Sequence, residues 1–263
     1  MSSQNLILGR GKVYFDIYGA DGVTLTGRRY IGNTPEMQLD ITATQLAHYS
    51  MDAGLKVKDD NVILELDRKG TFKTDEVSDA NMSLFLIGQL QTQVQTLSAS
   101  ATSAILLAKK DRYYQLGVTP GNPSGVRNVT VASVATTAST PVPLVVNVDY
   151  TIDGPLGLLY ILPTSTVVID GVTNILATYS VAAASRDQVL TTATAAVDGA
   201  LSFIAYNPKG IQRDYYMPYV QLTPNGAFAL KGDVWQEVAF NFEILLANPS
   251  MSHIYMDGRP YTP

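Results

Sequence analysis

Residues 234–246 read Val-Trp-Gln-Glu-Val-Ala-Phe-Asn-Phe-Glu-Ile-Leu-Leu, and the spacing of their apolar side chains decides the fold class. Apolar residues recur at every second position from Val234 to Leu246, with Gln236 as the exception, whereas Glu237 and Glu243 occupy alternate positions. A period of two is typical of a β-strand with one buried face. The pattern predicts a strand of about 13 residues, roughly 43 Å long at ~3.3 Å per residue, whereas ordinary strands have about five or six.

The same alternation occurs near the N-terminus, in residues 36–41 and again in residues 62–67. In both runs one set of alternate positions is apolar and the other carries acidic side chains, which indicates strands with one apolar and one acidic face. Asp59 and Asp60 precede the second run and predict a hairpin turn there.

One segment predicts a helix, over about residues 79–88. Ser78 is of the residue type that caps helix N-termini, and Gly88 is of the type that ends helices. With strand patterns elsewhere, these signals predict an all-β protein with one α-helix.

The composition limits the classes of function. Charged residues are 16% of the 263, below the roughly 25% usual for soluble domains, which favours burial of surface against other copies of the chain. The net charge of −5 and the lack of a basic block argue against tight nucleic-acid binding. Cysteine is absent, which excludes disulfides and thiolate sites.

Membrane and secretion signals are also missing from the sequence. The longest apolar run is far shorter than the ~20 residues of a membrane-spanning helix, and the first residues do not show the pattern of a signal peptide. We therefore expect synthesis in the cytoplasm and no membrane association.

The charge density changes in the middle of the chain. Only seven of the 41 charged residues lie within residues 116–205. This change predicts a discontinuous outer β domain, residues 1–118 and 206–263, with residues 119–205 forming an inserted β subdomain of low charge.

The sequence contains no recognisable catalytic, cofactor-binding or metal-ligating constellation. Its two histidines, His48 and His253, are far apart and have no partner at a ligand spacing. The paired strand carboxylates alternate regularly, which is typical of a solvated strand face rather than of a glycosidase site. We therefore expect a protein that is not an enzyme and has no cofactor.

Several motifs at the two ends of the chain occur in the order seen in one protein family. They lie at residues 8–15 (Leu-Gly-Arg-Gly-Lys-Val-Tyr-Phe), 27–36, 48–50, 54–59, 222–226, 230–236 (Leu-Lys-Gly-Asp-Val-Trp-Gln) and 240–245. In these motifs the chain resembles the major tail tube proteins of long-tailed bacteriophages and prophages. The resemblance covers roughly residues 6–115 and 206–260, and it is loose in the middle.

This resemblance implies a fold, a tail-tube-like β-sandwich or barrel subunit with one flanking α-helix, and also a function. Six subunits would form a ring, each donating strands to a continuous inner β-barrel, and stacked rings would form the tail tube through which DNA is ejected into the host. It implies a place in the virion tail, with the tape measure, tail terminator and distal tail proteins as partners. DNA would pass through without specific binding.

Acidic side chains on the strands are candidates for the wall of that channel. In a closed barrel one face of each strand packs on the core and the other faces the interior of the tube. The candidates are Glu36, Asp40, Glu65, Asp67, Glu237 and Glu243. The alternative for each is a place on the exterior of the tube.

Two other classes of function stay open. One is a binding module, such as a phage baseplate or decoration protein or an adhesin. The other is a carbohydrate-active β-sandwich enzyme. Long regular strands with acidic faces favour a tube-forming protein over the binding module, and the missing cleft pattern of aromatic and acidic residues argues against the enzyme.

Overall fold

The structure is a computed structural model that describes residues 6–52, 54–191 and 196–259. Within these ranges the chain forms one helix, α1 (Asp79–Phe85), and sixteen strands. The strands are β1 (Gly11–Ile17), β2 (Arg29–Tyr30), β3 (Glu36–Ser50), β4 (Val57–Thr74), β5 (Gly88–Gln95), β6 (Ser98–Ile105), β7 (Arg112–Gln115), β8 (Val129–Thr136), β9 (Tyr150–Asp153), β10 (Leu158–Ile161), β11 (Ile175–Val181), β12 (Ala184–Thr191), β13 (Val197–Ala205), β14 (Gln212–Pro224), β15 (Val238–Ile244) and β16 (Tyr255–Arg259). The fold is therefore all-β in class, as the periodicity predicted.

The chain divides into two compact units. The first unit contains Met1–Gln91 and Gln188–Pro263, and the second contains Thr92–Asp187. Both crossings between the units occur in strands that pair with each other, β5 and β12.

The first unit is built on one antiparallel sheet with the strand order β2-β1-β13-β14-β15-β4-β3, in which β16 also pairs with β14. Alternate side chains of these strands point to one face and form a hydrophobic core. Phe72 stacks on Phe240 with ring centroids 5.1 Å apart, and Phe242 lies 6.3 Å from Phe72. The other face of the sheet is polar across β3, β4 and β15.

Helix α1 covers this core. The Ser78 side chain accepts a hydrogen bond from the Asn81 backbone N–H, so the predicted N-cap is confirmed. Leu84 is buried, and the Phe85 ring packs edge-on against Phe240. The helix ends three residues before the predicted Gly88 because Ile87 adopts a left-handed φ of 48° and Gly88 already begins β5.

The predicted strand over residues 234–246 is shorter than expected. The alternation is confirmed from Val238 to Ile244, where the apolar side chains are buried. Residues 234–237 are not in a strand, because β14 ends at Pro224 and no other strand of the described residues pairs with them. Trp235 is 93% exposed.

The hairpin turn predicted at Asp59 and Asp60 is also misplaced. Both residues lie inside β4, where Asp60 pairs with His48 of β3. The connection between the two strands falls at residues 51–56 and contains Gly54 with a φ of 73°.

The second unit has its own hydrophobic core between two three-stranded sheets, β7-β10-β9 and β6-β11-β8. Its largest fully buried side chains include Leu116, Leu159, Ile161 and Tyr179. This unit covers Thr92–Asp187, whereas the charge density predicted an inserted subdomain over residues 119–205.

Strand β13 (Val197–Ala205) accounts for part of the difference at the second boundary. It lies between β1 and β14 in the sheet of the first unit, where Ala200, Leu201 and Ser202 are all buried. A strand that is buried on both faces has few charged residues wherever it belongs. The low charge of β13 therefore reflects its burial in the sheet and does not indicate a domain boundary.

Candidate assembly surface

Strands β3 and β4 form a hairpin that extends beyond the sheet. Strand β15 pairs with β4 only from Lys69 to Thr74, and β3 pairs with β4 alone in the described part of the chain. Residues 41–68, here called the arm, therefore form a two-stranded ribbon with no further strand beside it. The twelve β4 residues of the arm, 57–68, span roughly 40 Å at ~3.3 Å per residue.

Apolar side chains occupy both faces of the arm. A β-bulge at Thr44 and Gln45 places one extra residue on β4 and exchanges the faces of that strand beyond it. Leu46 consequently pairs with Val62 on one face, whereas Ile63 pairs with Gln45 on the other. A strand with one buried face would not carry this pattern.

These apolar side chains are open to solvent. Ten large apolar residues of the arm are each at least 40% exposed. They are Ile41, Leu46, Tyr49, Met51, Leu55, Val57, Val62, Ile63, Leu64 and Leu66. Exposure of many large apolar side chains in one element is typical of a protein–protein interaction site.

Local polar contacts hold the arm together. The His48 Nδ1 atom lies 2.6 Å from Asp59 Oδ1, and the Asn61 side-chain amide donates to Gln45 Oε1 at 2.7 Å. The Lys56 ammonium lies 4.4 Å from the centre of the Tyr49 ring. Exposed contacts of this kind contribute little stability. They hold the side chains of the two strands in position but leave the ribbon exposed to solvent.

Strand register brings the acidic candidates to one face of the sheet. Asp40 pairs with Lys69, Lys69 with Glu243, Glu243 with Gln221, and Gln221 with Asp198, which forms one polar row across five strands. Since side chains of directly paired residues share a face, the whole row points away from the core.

The remaining four candidates extend this acidic face. Glu36 pairs with Lys73, Asp67 with Thr42, and Glu65 with Thr44. Glu237 precedes β15 and acts electrostatically on Lys73. The sequence-predicted set is therefore brought together, and Asp198 is an acidic member that sequence reasoning missed because it lies in another part of the chain.

Two lysines partly neutralise the face. The Lys73 ammonium lies 3.1 Å from Glu36 Oε2, and this hydrogen bond, followed by the charges of Glu36 and Glu237, raises the pKa of Lys73. Lys69 lies between Asp40 and Glu243. Both lysines have the same strand parity as Asp67, so the period-two pattern could have revealed them. The seven acids still outnumber the two lysines, so the face repels polyanions.

Neither a metal centre nor a membrane span is found in what the structure describes. No three or more His, Asp or Glu side chains in residues 6–52, 54–191 and 196–259 are placed to hold a metal ion together. Over the same ranges no helix is both long and apolar enough to cross a membrane.

Comparison with known proteins shows the family of the chain. A search of the curated proteins finds no match to this chain. The model of the family described as "Protein of unknown function UCP028589" matches residues 6–249, which is most of the chain, so the protein belongs to this family.

Proposed function

We propose that this protein is a structural subunit that assembles with copies of itself into rings, and that the stacked rings form the tail tube of a long-tailed bacteriophage. The proposal joins the resemblance of residues 6–115 and 206–260 to tail tube proteins with the surfaces of the first unit. In the ring of six that the resemblance implies, the tube conducts DNA during ejection, and the work of the protein is mechanical rather than catalytic.

The arm is the observation that carries the proposal. An isolated two-stranded ribbon is marginally stable in water at best, and this one exposes apolar side chains such as Leu46 and Ile63 on opposite faces. Burying both faces requires surfaces on two sides of the ribbon. Neighbouring subunits in a ring, or in adjacent rings, supply such surfaces repeatedly.

The free edge of β3 supports the same reading. All 15 residues of this strand pair on one side only within the described residues. A long unpaired edge is a template for another strand, and soluble monomers normally shorten or block such edges. Pairing with a neighbouring copy satisfies the backbone groups of β3 and continues the sheet from one subunit to the next.

The acidic face fits the wall of a conduit. Asp40, Glu243 and Asp198 lie in one row of this face, and the net charge of the face is negative. A channel lined by this face would repel the phosphate backbone, so that DNA slides without sticking. The same face on the exterior of a tube would only keep assemblies soluble.

The test is assembly of the purified protein. We expect rings or tubes in negative-stain electron micrographs and a sedimentation coefficient that rises with protein concentration. A variant in which an Asn-Gly turn replaces residues 43–66, and so joins the opposed Thr42 and Asp67, shortens the ribbon without touching the core. This variant is expected to fold and to stay monomeric.

Two results would contradict the proposal. One is a wild-type protein that remains a compact monomer at every concentration. The other is a shortened variant that assembles as readily as the wild type, since the arm would then play no part in assembly.

A further inference from the structure

The loop between β14 and β15, residues 225–237, carries the most exposed large hydrophobic side chains of the described part of the first unit. This segment is here called the tryptophan loop. Trp235 is 93% exposed, Leu230 is 82% exposed and Val234 is 79% exposed. Trp235 is the single tryptophan of the chain. Tryptophan is enriched among the residues that dominate the binding energy of protein interfaces, so its exposure in a monomer calls for a partner.

The tryptophan loop is held in place from inside. The Phe228 ring packs 6.0 Å from the Phe85 ring of α1. The Gln236 side-chain amide donates to the Ala229 carbonyl at 2.8 Å, and the Asn225 N–H donates to the Ala239 carbonyl at 2.9 Å. A loop anchored in this way loses little conformational entropy on binding, which favours its use as a docking element.

A matching cavity opens elsewhere on the same unit. The core-facing side chains of β3 come opposite those of β13 and β14, and they leave a cavity of about 220 Å³. It is lined by Met37, Gln38, Leu39, Phe203, Tyr215 and Met217. An apolar cavity of about 150 Å³ is sufficient to take up benzene, so this cavity, here called the groove, has room for an indole ring.

Charges around the two surfaces are complementary. Asp233 and Glu237 flank Trp235 within two residues and are exposed. Arg213 is exposed on β14 and, two residues from Tyr215, points to the groove side of that strand. Insertion of Trp235 into the groove would place acidic side chains of the loop near this arginine.

We propose that the tryptophan loop of one copy inserts Trp235 into the groove of a second copy of the chain. The inference rests on the self-assembly proposed above and adds the contact that joins neighbouring subunits. Because loop and groove are different surfaces of one protomer, the contact is heterologous. Repeated head to tail, it generates a ring where the rotation closes and a filament where it does not.

A lipid surface is the main competing partner for an exposed tryptophan. The loop carries Asp233 and Glu237 against Lys231 alone, and anionic headgroups repel a segment of this charge. The acidic flanks and the apolar groove therefore favour a second copy of the chain.

The single tryptophan reports directly on its own burial. We expect the fluorescence emission of the wild-type protein to shift to shorter wavelength as assembly proceeds, and acrylamide quenching to fall at least threefold. If assemblies are visible by microscopy but Trp235 is as accessible as in the monomer, the insertion of Trp235 into the groove is overturned, whereas the proposed function stands. Absence of assembly at every concentration would overturn both.

An experiment with lipid vesicles distinguishes a membrane partner from a second copy of the chain. The wild type is mixed, below its assembly concentration, with phosphatidylcholine vesicles and with vesicles containing phosphatidylglycerol. We expect no spectral shift with either. A blue shift on vesicles that is absent on self-assembly would assign the loop to a membrane and overturn the proposal.

Substitutions test the two surfaces independently of fluorescence. Trp235→Ala should raise the protein concentration needed for assembly about 30-fold, the effect of losing a hot-spot residue. Tyr113→Ala, which removes an exposed aromatic side chain of the second unit, is the matched control and should change it less than twofold. Equal effects of the two variants would contradict the insertion of Trp235 into the groove.

A charge exchange tests the groove itself. Asp233→Arg and Arg213→Asp should each weaken assembly, and their combination should restore at least half of the loss because the pair is re-formed with reversed signs. Both residues are exposed, so the single variants should fold as the wild type does. A double variant weaker than either single variant would place the loop elsewhere.

Discussion

The base and the arm of the β3–β4 hairpin are made by the same two strands, yet the apolar side chain of β4 is buried in the base whereas those of the arm are exposed. In the base, residues 36–40 and 69–74, Phe72 is fully buried. In the arm, eight and ten residues before Phe72 in the same strand, Leu64 is 62% exposed and Val62 is 51% exposed. Residue type alone does not separate the two regions.

The difference between base and arm lies in the strands that pair with the hairpin. At the base, β15 pairs with β4 and brings Phe240 and Phe242 against Phe72. Beyond Lys69 no strand of the first unit continues this pairing in the described residues. The arm therefore carries the apolar side chains of a buried strand but has nothing packed against them. Surfaces of this kind are typical of sites that bind another molecule.

The largest effect on subunit stability is expected at the base. Phe72→Ala removes a fully buried ring that stacks on Phe240, and it should lower the free energy of unfolding by about 3–5 kcal/mol through lost burial and the cavity left behind. Chemical denaturation followed by circular dichroism measures it. A loss similar to that of Leu64→Ala in the arm would remove the distinction between the two regions.

A smaller effect is expected from Gly70→Ala. A Cβ atom at this position would overlap the Gln38 carbonyl oxygen and the Phe242 ring. Overpacking of this kind costs about 1–3 kcal/mol. Denaturation of this variant beside Gly54→Ala, which lies in the open turn with nothing within 4 Å but has a φ of 73°, separates packing from backbone strain. If the two variants lose equal free energy of unfolding, steric overlap at Gly70 is not the cause of the destabilisation.

Substitutions in the arm should leave the subunit folded and stop its assembly. Leu46→Asp with Ile63→Asp places one charge on each exposed face and should change the free energy of unfolding by less than about 0.5 kcal/mol, as is usual for surface substitutions. Sedimentation should show a monomer where the wild type assembles. Normal assembly of this variant would indicate that the arm is solvated in the complex.

The smallest effect on stability is expected on the acidic face. Asp40→Lys with Glu243→Lys, at two exposed positions of the acidic face outside the arm, should alter neither folding nor assembly. It should make the assembled protein retain duplex DNA at low salt and release it at higher salt, since each phosphate contact releases counterions. Ser139→Lys with Thr140→Lys, on an exposed loop of the second unit, is the control. Equal retention by both variants would show that these carboxylates do not line the DNA path.

Prediction from the sequence succeeded where the signal is local. The alternation around Phe240 and Phe242 and the N-cap at Ser78 depend on residues a few positions apart, and both are confirmed. The position of five of the six acids, Glu36, Asp40, Glu65, Asp67 and Glu243, on one face also follows from a period of two within each strand, combined with register. Whether that face lines a channel stays a prediction.

Prediction failed where the answer depends on distant partners. The extension of the last strand to residue 234 required a neighbour that β14, ending at Pro224, does not provide. The boundary at residue 205 assumed that low charge marks an insertion, whereas β13 is a central strand that pairs with β1 about 190 residues away. Neither fact can be read from the segment concerned.

The sequence by itself determined the strand class, the single described helix and the faces of the strands, because the pleat of an extended backbone and the cap of a helix are set by adjacent residues. The tertiary structure decided which of those faces are covered. Phe242 and Leu64 have similar local patterns, but only the pairing of β4 with β15 buries one and leaves the other exposed. Burial depends on what packs from elsewhere in the chain, so the arm and the exposed Trp235 became visible only in the folded protein.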